Sequence, residues 1–246
     1  MKPRVAVFSF TCCEGCSLAI LECENELLDI LNLVTFVRWR EAMTETTEDY
    51  DIAFVDGSIS THNDVRKIKQ IREQAKLLVP IGACAYNAGV NALKNRYGMG
   101  EVKEIVYGAE GAQFDTIPAR PISAVVPVDF ALPQCPIDKE EFIRTVRDLV
   151  LGRTPKLPDY PMCAECKRAD NVCAFTKGMK CMGPVTRAGC GAICPSNGDY
   201  CEGCRGFVDN PNEQAHMETL AEHGLTPQEV MGYFSLFNSY DESQIT

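Results

Sequence analysis

The chain has 246 residues, 46% of them apolar, and a formal net charge of −10. That length holds one full α/β domain and a smaller appendage. The negative charge argues against nucleic acid as a partner, because proteins that grip phosphates show a basic patch, and no apolar run reaches the roughly 18 residues of a membrane span.

Met1-Lys2-Pro3-Arg4 passes straight into Val-Ala-Val-Phe, with no secretory apolar stretch and no twin-arginine pair, so a cytoplasmic location without membrane insertion is expected. From there to about residue 152, apolar runs alternate with helical periodicity. Arg4 to Phe10 reads as a first strand, and Ser17 to Leu31 as a helix with Leu18, Leu21, Leu27, Leu28 and Leu31 at helical spacing. Leu33 to Val37 is expected to form a second strand and Asp51 to Val55 a third. Val65 to Ala75 is a charged amphipathic helix that Thr61 or Asn63 can cap. Leu77 to Ile81 makes a fourth strand. After a loop and a further helical stretch, Ala124 to Val128 is expected as a fifth strand and Lys139 to Leu151 as a closing helix that stops before Gly152. Strands separated by helices imply parallel pairing, since each crossover needs a covering element.

In such a sheet the loops at the carboxyl ends of the strands converge on one edge. Cys12, Cys13 and Cys16 follow the first strand, Asp56 and Gly57 the third, Gly82, Ala83 and Cys84 the fourth, and Cys135 the expected fifth. A site is therefore predicted there.

From Pro155 the composition shifts. Up to Gly206 the chain is rich in Cys, Gly and Pro with few large hydrophobes, so metal is expected to supply what a core cannot. Helical character returns from Asn212, where Thr226-Pro227-Gln228-Glu229 has the form of a capping box with proline at the first helical position.

Fourteen cysteines without a secretion signal point to metal and away from a disulfide framework. Cys163, Cys166, Cys173 and Cys181 make one set of four; Cys190, Cys194, Cys201 and Cys204 make another. Four soft thiolates suit zinc or a cubane iron-sulfur cluster. The irregular gaps of three, six and seven residues fit the larger inorganic core better than two zinc knuckles do. The C-x2-C-x2-C-x3-C-P run of bacterial ferredoxins is absent, apart from Cys190-Gly-Ala-Ile-Cys194-Pro195 as its last element. In the first region Cys13, Cys16, Cys84 and Cys135 are four more thiols, beside Gly15, Gly82 and Pro136, and glycine lets backbone amides approach cluster sulfides. Cys23 reads as a small core residue, and Cys12 as an alternative ligand paired with Cys13.

The segments Thr11-Cys12-Cys13-Glu14-Gly15-Cys16, Phe54-Val55-Asp56-Gly57-Ser58, Gly82-Ala83-Cys84-Ala85, Cys135-Pro136 and Cys181-Met182-Gly183-Pro184-Val185-Thr186-Arg187-Ala188-Gly189-Cys190 together resemble the small subunit of nickel-iron hydrogenases, in particular the cytoplasmic branch with sulfhydrogenase delta subunits and cofactor-coupled enzymes. The likeness runs in order along nearly the whole chain. It implies a flavodoxin-like doubly wound parallel sheet over 1–152 and a small Cys-rich iron-sulfur domain with a helical tail over 153–246. It also implies three 4Fe-4S clusters: a proximal one on Cys13, Cys16, Cys84 and Cys135, a medial one on Cys190, Cys194, Cys201 and Cys204, and a distal one on Cys163, Cys166, Cys173 and Cys181. The chain would relay electrons between a nickel-iron centre in a hydrogenase large subunit and a flavin or iron-sulfur diaphorase-type subunit, with no catalytic residue of its own.

Many membrane-bound and periplasmic relatives have His at the position of Cys163 and Pro near that of Cys194, which gives a three-iron medial cluster; two cysteines here imply four irons. Where the family commonly has Glu, this chain has Asp56, a candidate acid on a proton route, though an Asp before Gly also serves as a loop cap. A related subunit of respiratory complex I shares the first domain and a tandem pair like Cys12-Cys13, but lacks the eight-cysteine extension. Two further readings are a zinc-bound interaction protein and a flavodoxin, whose phosphate loop would be Ser/Thr-rich where this chain has Cys-Cys-Glu-Gly-Cys.

Overall fold

In a computed structural model, which describes residues 2–241, the chain divides into two compact units. The first runs to Pro155 and includes the segment from Ser239; the second is Lys156–Asn238. In the first unit β1 (Arg4–Ser9), β2 (Thr35–Trp39), β3 (Ile52–Asp56) and β4 (Leu77–Ile81) form a parallel sheet in the order β2-β1-β3-β4. The helices are α1 (Gly15–Leu21), α2 (Glu24–Leu33), α3 (His62–Gln74), α4 (Gly82–Asn87), α5 (Met99–Tyr107) and α6 (Lys139–Val150).

Successive strand residues face opposite sides of a sheet, and both sides are covered here. Val5, Val7, Ile52, Phe54, Val79 and Ile81 enter one core with Ile20 of α1, Ile30 of α2 and Phe142 of α6. Ala6, Ala53, Val55 and Leu78 enter a second core with Ile68 and Ile71 of α3. Two buried faces are the reason these strands read as unbroken apolar runs. Thr61 is the cap of α3: its hydroxyl accepts from Asp64 N at 3.0 Å while the Asp64 carboxylate accepts from Thr61 N at 3.0 Å.

Three expectations for this unit change. The helix over Ser17 to Leu31 is two helices, because the chain turns at Cys23 and Glu24, where φ is +46°. Leu18, Leu28 and Leu31 consequently face solvent, and the buried stripe is Ala19, Ile20, Cys23 and Ile30. Cys23 is thus the core residue that was expected. The second strand starts two residues late because α2 continues to Leu33.

The third change concerns the expected strand over Ala124 to Val128. Residues 122–124 form a 3₁₀ turn and the sheet stops at β4. The outer edge of β4 explains it. Leu78 N donates to the Asp129 carboxylate at 2.7 Å, Pro80 has no N–H to offer a neighbour, and Pro127 lacks one within the incoming segment. Among the described residues, a single bridge, Ile81 to Leu132, continues the pairing.

The second unit has little regular structure among its cysteines: α7 (Cys163–Arg168) and α8 (Ile193–Ser196) are short, and α9 (Glu213–Glu222) and α10 (Pro227–Ser235) follow. A core is nevertheless present. Met162, Met182 and Val185 pack in one buried cluster with Leu220 and Leu225 and with Val230 and Phe234 of α10. Residues 155–206 hold too few large hydrophobes to make a core from their own composition, and the chain after Asn212 provides the remainder. Thr226 caps α10 reciprocally with Glu229, with Pro227 at the first position.

Candidate metal centres

The first candidate set is built by three loop junctions. After β1 the backbone passes through a left-handed conformation at Glu14 (φ +65°), which lets α1 begin at Gly15 and buries Cys16 in its first turn. After β4, Gly82 (φ +81°) opens α4, which carries Cys84. Gly82 N then donates to Leu132 O at 2.7 Å and Ala83 N to Gln134 O at 2.8 Å, which brings Cys135 to the same junction without a fifth strand. The Cys135–Pro136 peptide is cis.

These four thiols lie in each other's fields. Burial pushes Cys84 up to about 12, with further contributions from Asp56, Cys135 and Cys13. Burial raises Cys16 also, followed by Asp56, Cys135 and Cys84. The glycines at this edge are tightly approached: a Cβ at Gly82 would stand 2.2 Å from Cys16 Sγ, and one at Gly15 3.3 Å from Cys13 Sγ.

Asp56, at the end of β3, is 1% exposed and its Oδ2 has no hydrogen-bond partner. Burial pushes its carboxyl up, against the pull of Cys12, Cys16 and the N–H groups of Gly57 and Ser17. Cys12 sits beside it, its thiol raised by burial and then by Asp56. Sequence reasoning missed an acid pair here. Glu14 hydrogen-bonds Glu41, and this contact raises Glu14; burial is the largest single influence on Glu41 and raises it, but the hydrogen bonds from Glu14 and the backbone and the pairing with Arg40 together lower that group. Arg40 pairs with both, and Ser17 links Glu41 (3.3 Å) to the indole N–H of Trp39 (2.7 Å). The only sequence signal was the acid between Cys13 and Gly15.

In the second unit, Cys163 is pushed up to about 11 by burial and then by Cys181, Cys166 and Cys173, so these four thiols form one group. Gly183 sits between two of them, since a Cβ there would meet Cys163 Sγ at 3.2 Å and Cys181 Sγ at 3.3 Å. Of the remaining four, Cys194 is raised by burial and then by Cys190, and the deeply buried Cys201 is raised by burial, then by Cys181 of the other group and more weakly by Cys204. Cys181 and Cys201 tie the two groups together. Cys181 Sγ accepts from Cys201 N and from Gly183 N, each at 3.4 Å, while Met182 N donates to Cys201 O at 2.7 Å. Glu165, inside the Cys163–Cys166 knuckle, is a second tie that spacing did not reveal; its carboxylate accepts from Gly189 N at 2.9 Å and Gly191 N at 3.0 Å, on either side of Cys190.

None of the fourteen cysteines is in a disulfide, and each set runs from one buried thiol (Cys16, Cys181, Cys201) to at least one exposed one (Cys13, Cys135, Cys173, Cys194). Among the described residues, no three Cys, His, Asp or Glu side chains close on the position of a single metal ion. The donor chemistry fits a cluster. Burial resists ionisation of Cys16, Cys84, Cys163, Cys181, Cys190, Cys194 and Cys201, and a polynuclear cationic core supplies the positive charge that would turn such thiols into ligands. No helix among the described residues is long and apolar enough to cross a membrane.

A parallel α/β domain with thiols gathered at its carboxyl edge, followed by a cysteine-rich unit, defines the hydrogenase small-subunit class. The model of the NADH ubiquinone oxidoreductase 20 Kd subunit matches residues 13–149, and the chain belongs to that family. Its relatives there are hydrogenase subunits. The chain is 35% identical to sulfhydrogenase 2 subunit delta of Pyrococcus furiosus over 89% of its length and 92% of that protein's, and 30% identical to a vhu subunit of the F420-non-reducing hydrogenase of Methanococcus voltae over 97% and 95%. Among solved structures it resembles a chain of an NAD+-reducing [NiFe]-hydrogenase in the H2-reduced state (TM-score 0.58, 28% identity, 64% of this chain and 96% of that one). The fold is also that of a chain in the [NiFeSe] hydrogenase of Desulfovibrio vulgaris Hildenborough (TM-score 0.55, 17% identity, 87% and 96%).

Proposed function

We propose that this chain is the iron-sulfur electron relay of a cytoplasmic nickel-iron hydrogenase. Cys13, Cys16, Cys84 and Cys135 would hold a 4Fe-4S cluster proximal to the nickel-iron centre of a separate large subunit. Cys190, Cys194, Cys201 and Cys204 would hold a medial cluster, and Cys163, Cys166, Cys173 and Cys181 a distal one facing a flavin or iron-sulfur diaphorase-type subunit. Such clusters, when bound, accept and release one electron at a time at potentials set by their surroundings. The observation that carries the reading is the gathering of Cys13, Cys16, Cys84 and Cys135 from three loops at one sheet edge, together with eight further thiols in a second unit.

The chain's own residues have three tasks. Thiols bind. The N–H groups of Gly183 and Cys201, aimed at Cys181 Sγ, favour its anionic form and join the second and third sets by one hydrogen bond. Asp56 is buried beside Cys16 and Cys12 with its Oδ2 unpartnered, and burial pushes its carboxyl up, which makes it the candidate acid on a proton route at the first set.

A second reading is an electron-transfer module of a complex I-like oxidoreductase without hydrogenase activity, favoured by the family model and by the tandem Cys12-Cys13. That model covers none of the eight cysteines after residue 149, whereas the relatives above extend over most of the chain. The two readings separate on co-purification and on one variant. In the assembled, nickel-replete complex, Cys173→Ala is expected to reduce external acceptor turnover while hydrogen–deuterium exchange continues. Unchanged acceptor reduction after loss of iron contradicts the relay, and a partner without nickel favours the alternative.

A further inference from the structure

Among the described residues, Arg205 is the largest fully buried side chain, with 0% of its surface exposed. A guanidinium in a low-dielectric interior is costly unless an opposite charge lies close. Its surroundings are specific. It follows Cys204 directly in the chain, and its Nε donates to Ala188 O at 2.7 Å. Its plane lies against Gly189, where a Cβ would come within 2.2 Å of Nη2 and 2.6 Å of Cζ. Residue 189 (φ +119°) is glycine for two reasons, the backbone angle and the room the guanidinium occupies. Ala188 and Gly189 lead directly into Cys190, whose thiol burial pushes up and the charge of Arg205 draws back. The cation therefore lies against the Ala188–Gly189 backbone that leads into Cys190, on the residue that follows Cys204.

The other charges at this set act from more polar positions. Glu165 opposes Arg205 at Cys190, with its carboxylate engaged by Gly189 N and Gly191 N. Asp199 and Glu202 act on Cys194, and both are exposed, where water and salt weaken them. Arg205 is fully buried, where water and salt screen its charge least.

We propose that Arg205 is a positioning residue of the electrostatic kind: its fixed cation keeps the cluster on Cys190, Cys194, Cys201 and Cys204 at a higher reduction potential than the same four ligands would give without it. The inference rests on the reading that these four cysteines hold a cluster. Reduction adds one electron to an already anionic assembly, and a close cation in a low dielectric stabilises the reduced form more than the oxidised one. No proton is involved on the arginine side, because the guanidinium stays charged at every working pH.

The test is a redox titration of the whole complex followed by electron paramagnetic resonance, with iron counted in each sample. Arg205→Gln is expected to lower the midpoint potential of one cluster and leave the other two in place, while Arg205→Lys keeps most of the wild-type value. Glu165→Gln removes the opposing charge and is expected to move the same cluster upward. An Arg205→Gln complex with full iron and three unchanged potentials overturns the proposal, and so does a lysine variant that shifts as far as the glutamine one. If Arg205→Gln does not assemble, an intact Glu165→Gln complex with an unmoved cluster overturns it instead. A wild-type complex lacking a cluster on this set, seen as low iron and a missing signal before any substitution, overturns the ligand reading and the proposal with it.

Discussion

Replacing Gly82 by alanine tests the geometry on which the first set depends. The new Cβ would stand 2.2 Å from Cys16 Sγ and 3.5 Å from Cys16 Cβ, while ordinary contact begins at 3.4 Å, so the sulfur or the start of α4 has to move by 3.4 − 2.2 = 1.2 Å. Cys16 is buried in the first turn of α1 and has little room to retreat. The φ of +81° adds about 1–2 kcal/mol for a residue with a Cβ, and forcing a carbon into a packed site adds about 1–3 kcal/mol. A loss of roughly 2–5 kcal/mol follows. Because the strain falls on Cys16, the iron bound by the first unit should fall with it. Chemical denaturation gives the stability and iron analysis gives the occupancy. Gly100→Ala is the control, since nothing lies within 4 Å of that Cβ in α5 and its effect should stay within about 0.5 kcal/mol. A Gly82→Ala protein with wild-type midpoint and wild-type iron would refute the reasoning.

Two further outcomes follow from packing and charge in the same unit. Phe142 is fully buried, with its ring centroid 5.1 Å from that of Phe54, and Phe142→Ala should cost about 3–5 kcal/mol in a denaturant titration. Asp51 is held down to about 2, first by the N–H of Arg4 and then by Lys76. A carboxyl lowered by folding contributes stability that is complete above its unfolded pKa near 3.8 and is lost as pH falls toward 2. Asp51→Asn should therefore destabilise the protein by about 1–2 kcal/mol at pH 7 and flatten its stability between pH 4 and 2; an unchanged acid profile in the variant would contradict this.

Much of the first unit was legible because its local signals agree with its tertiary structure. The four strands are apolar runs bounded by polar loops, and Thr61, one of the two caps the sequence offered for the third helix, is the one used. The failures have physical causes. Five leucines at helical spacing looked like a buried stripe, yet the turn at Cys23 and Glu24 puts three of them in solvent. The Ala124 to Val128 segment has strand composition, but Asp129 and Pro80 occupy the edge it would need. Residues 155–206 seemed coreless because their apolar partners, Leu220, Leu225, Val230 and Phe234, lie further along the chain.

At the candidate centres, cysteine spacing proposed two sets of four thiols in the second unit, and the structure gathers Cys163, Cys166, Cys173 and Cys181 in one group. Their surroundings were hidden. Glu165 bridging Gly189 and Gly191, the Glu14–Glu41 pair and the burial of Asp56 all depend on contacts between segments far apart in the chain, where a single charged letter carries no mark of its partner.

The most direct test of the relay account is the metal content of the anaerobically purified chain. Twelve cysteines in three sets of four predict about twelve iron atoms per chain, with zinc well below one. About four iron atoms with about two zinc atoms would leave the first set as the sole cluster and contradict the account for the second unit.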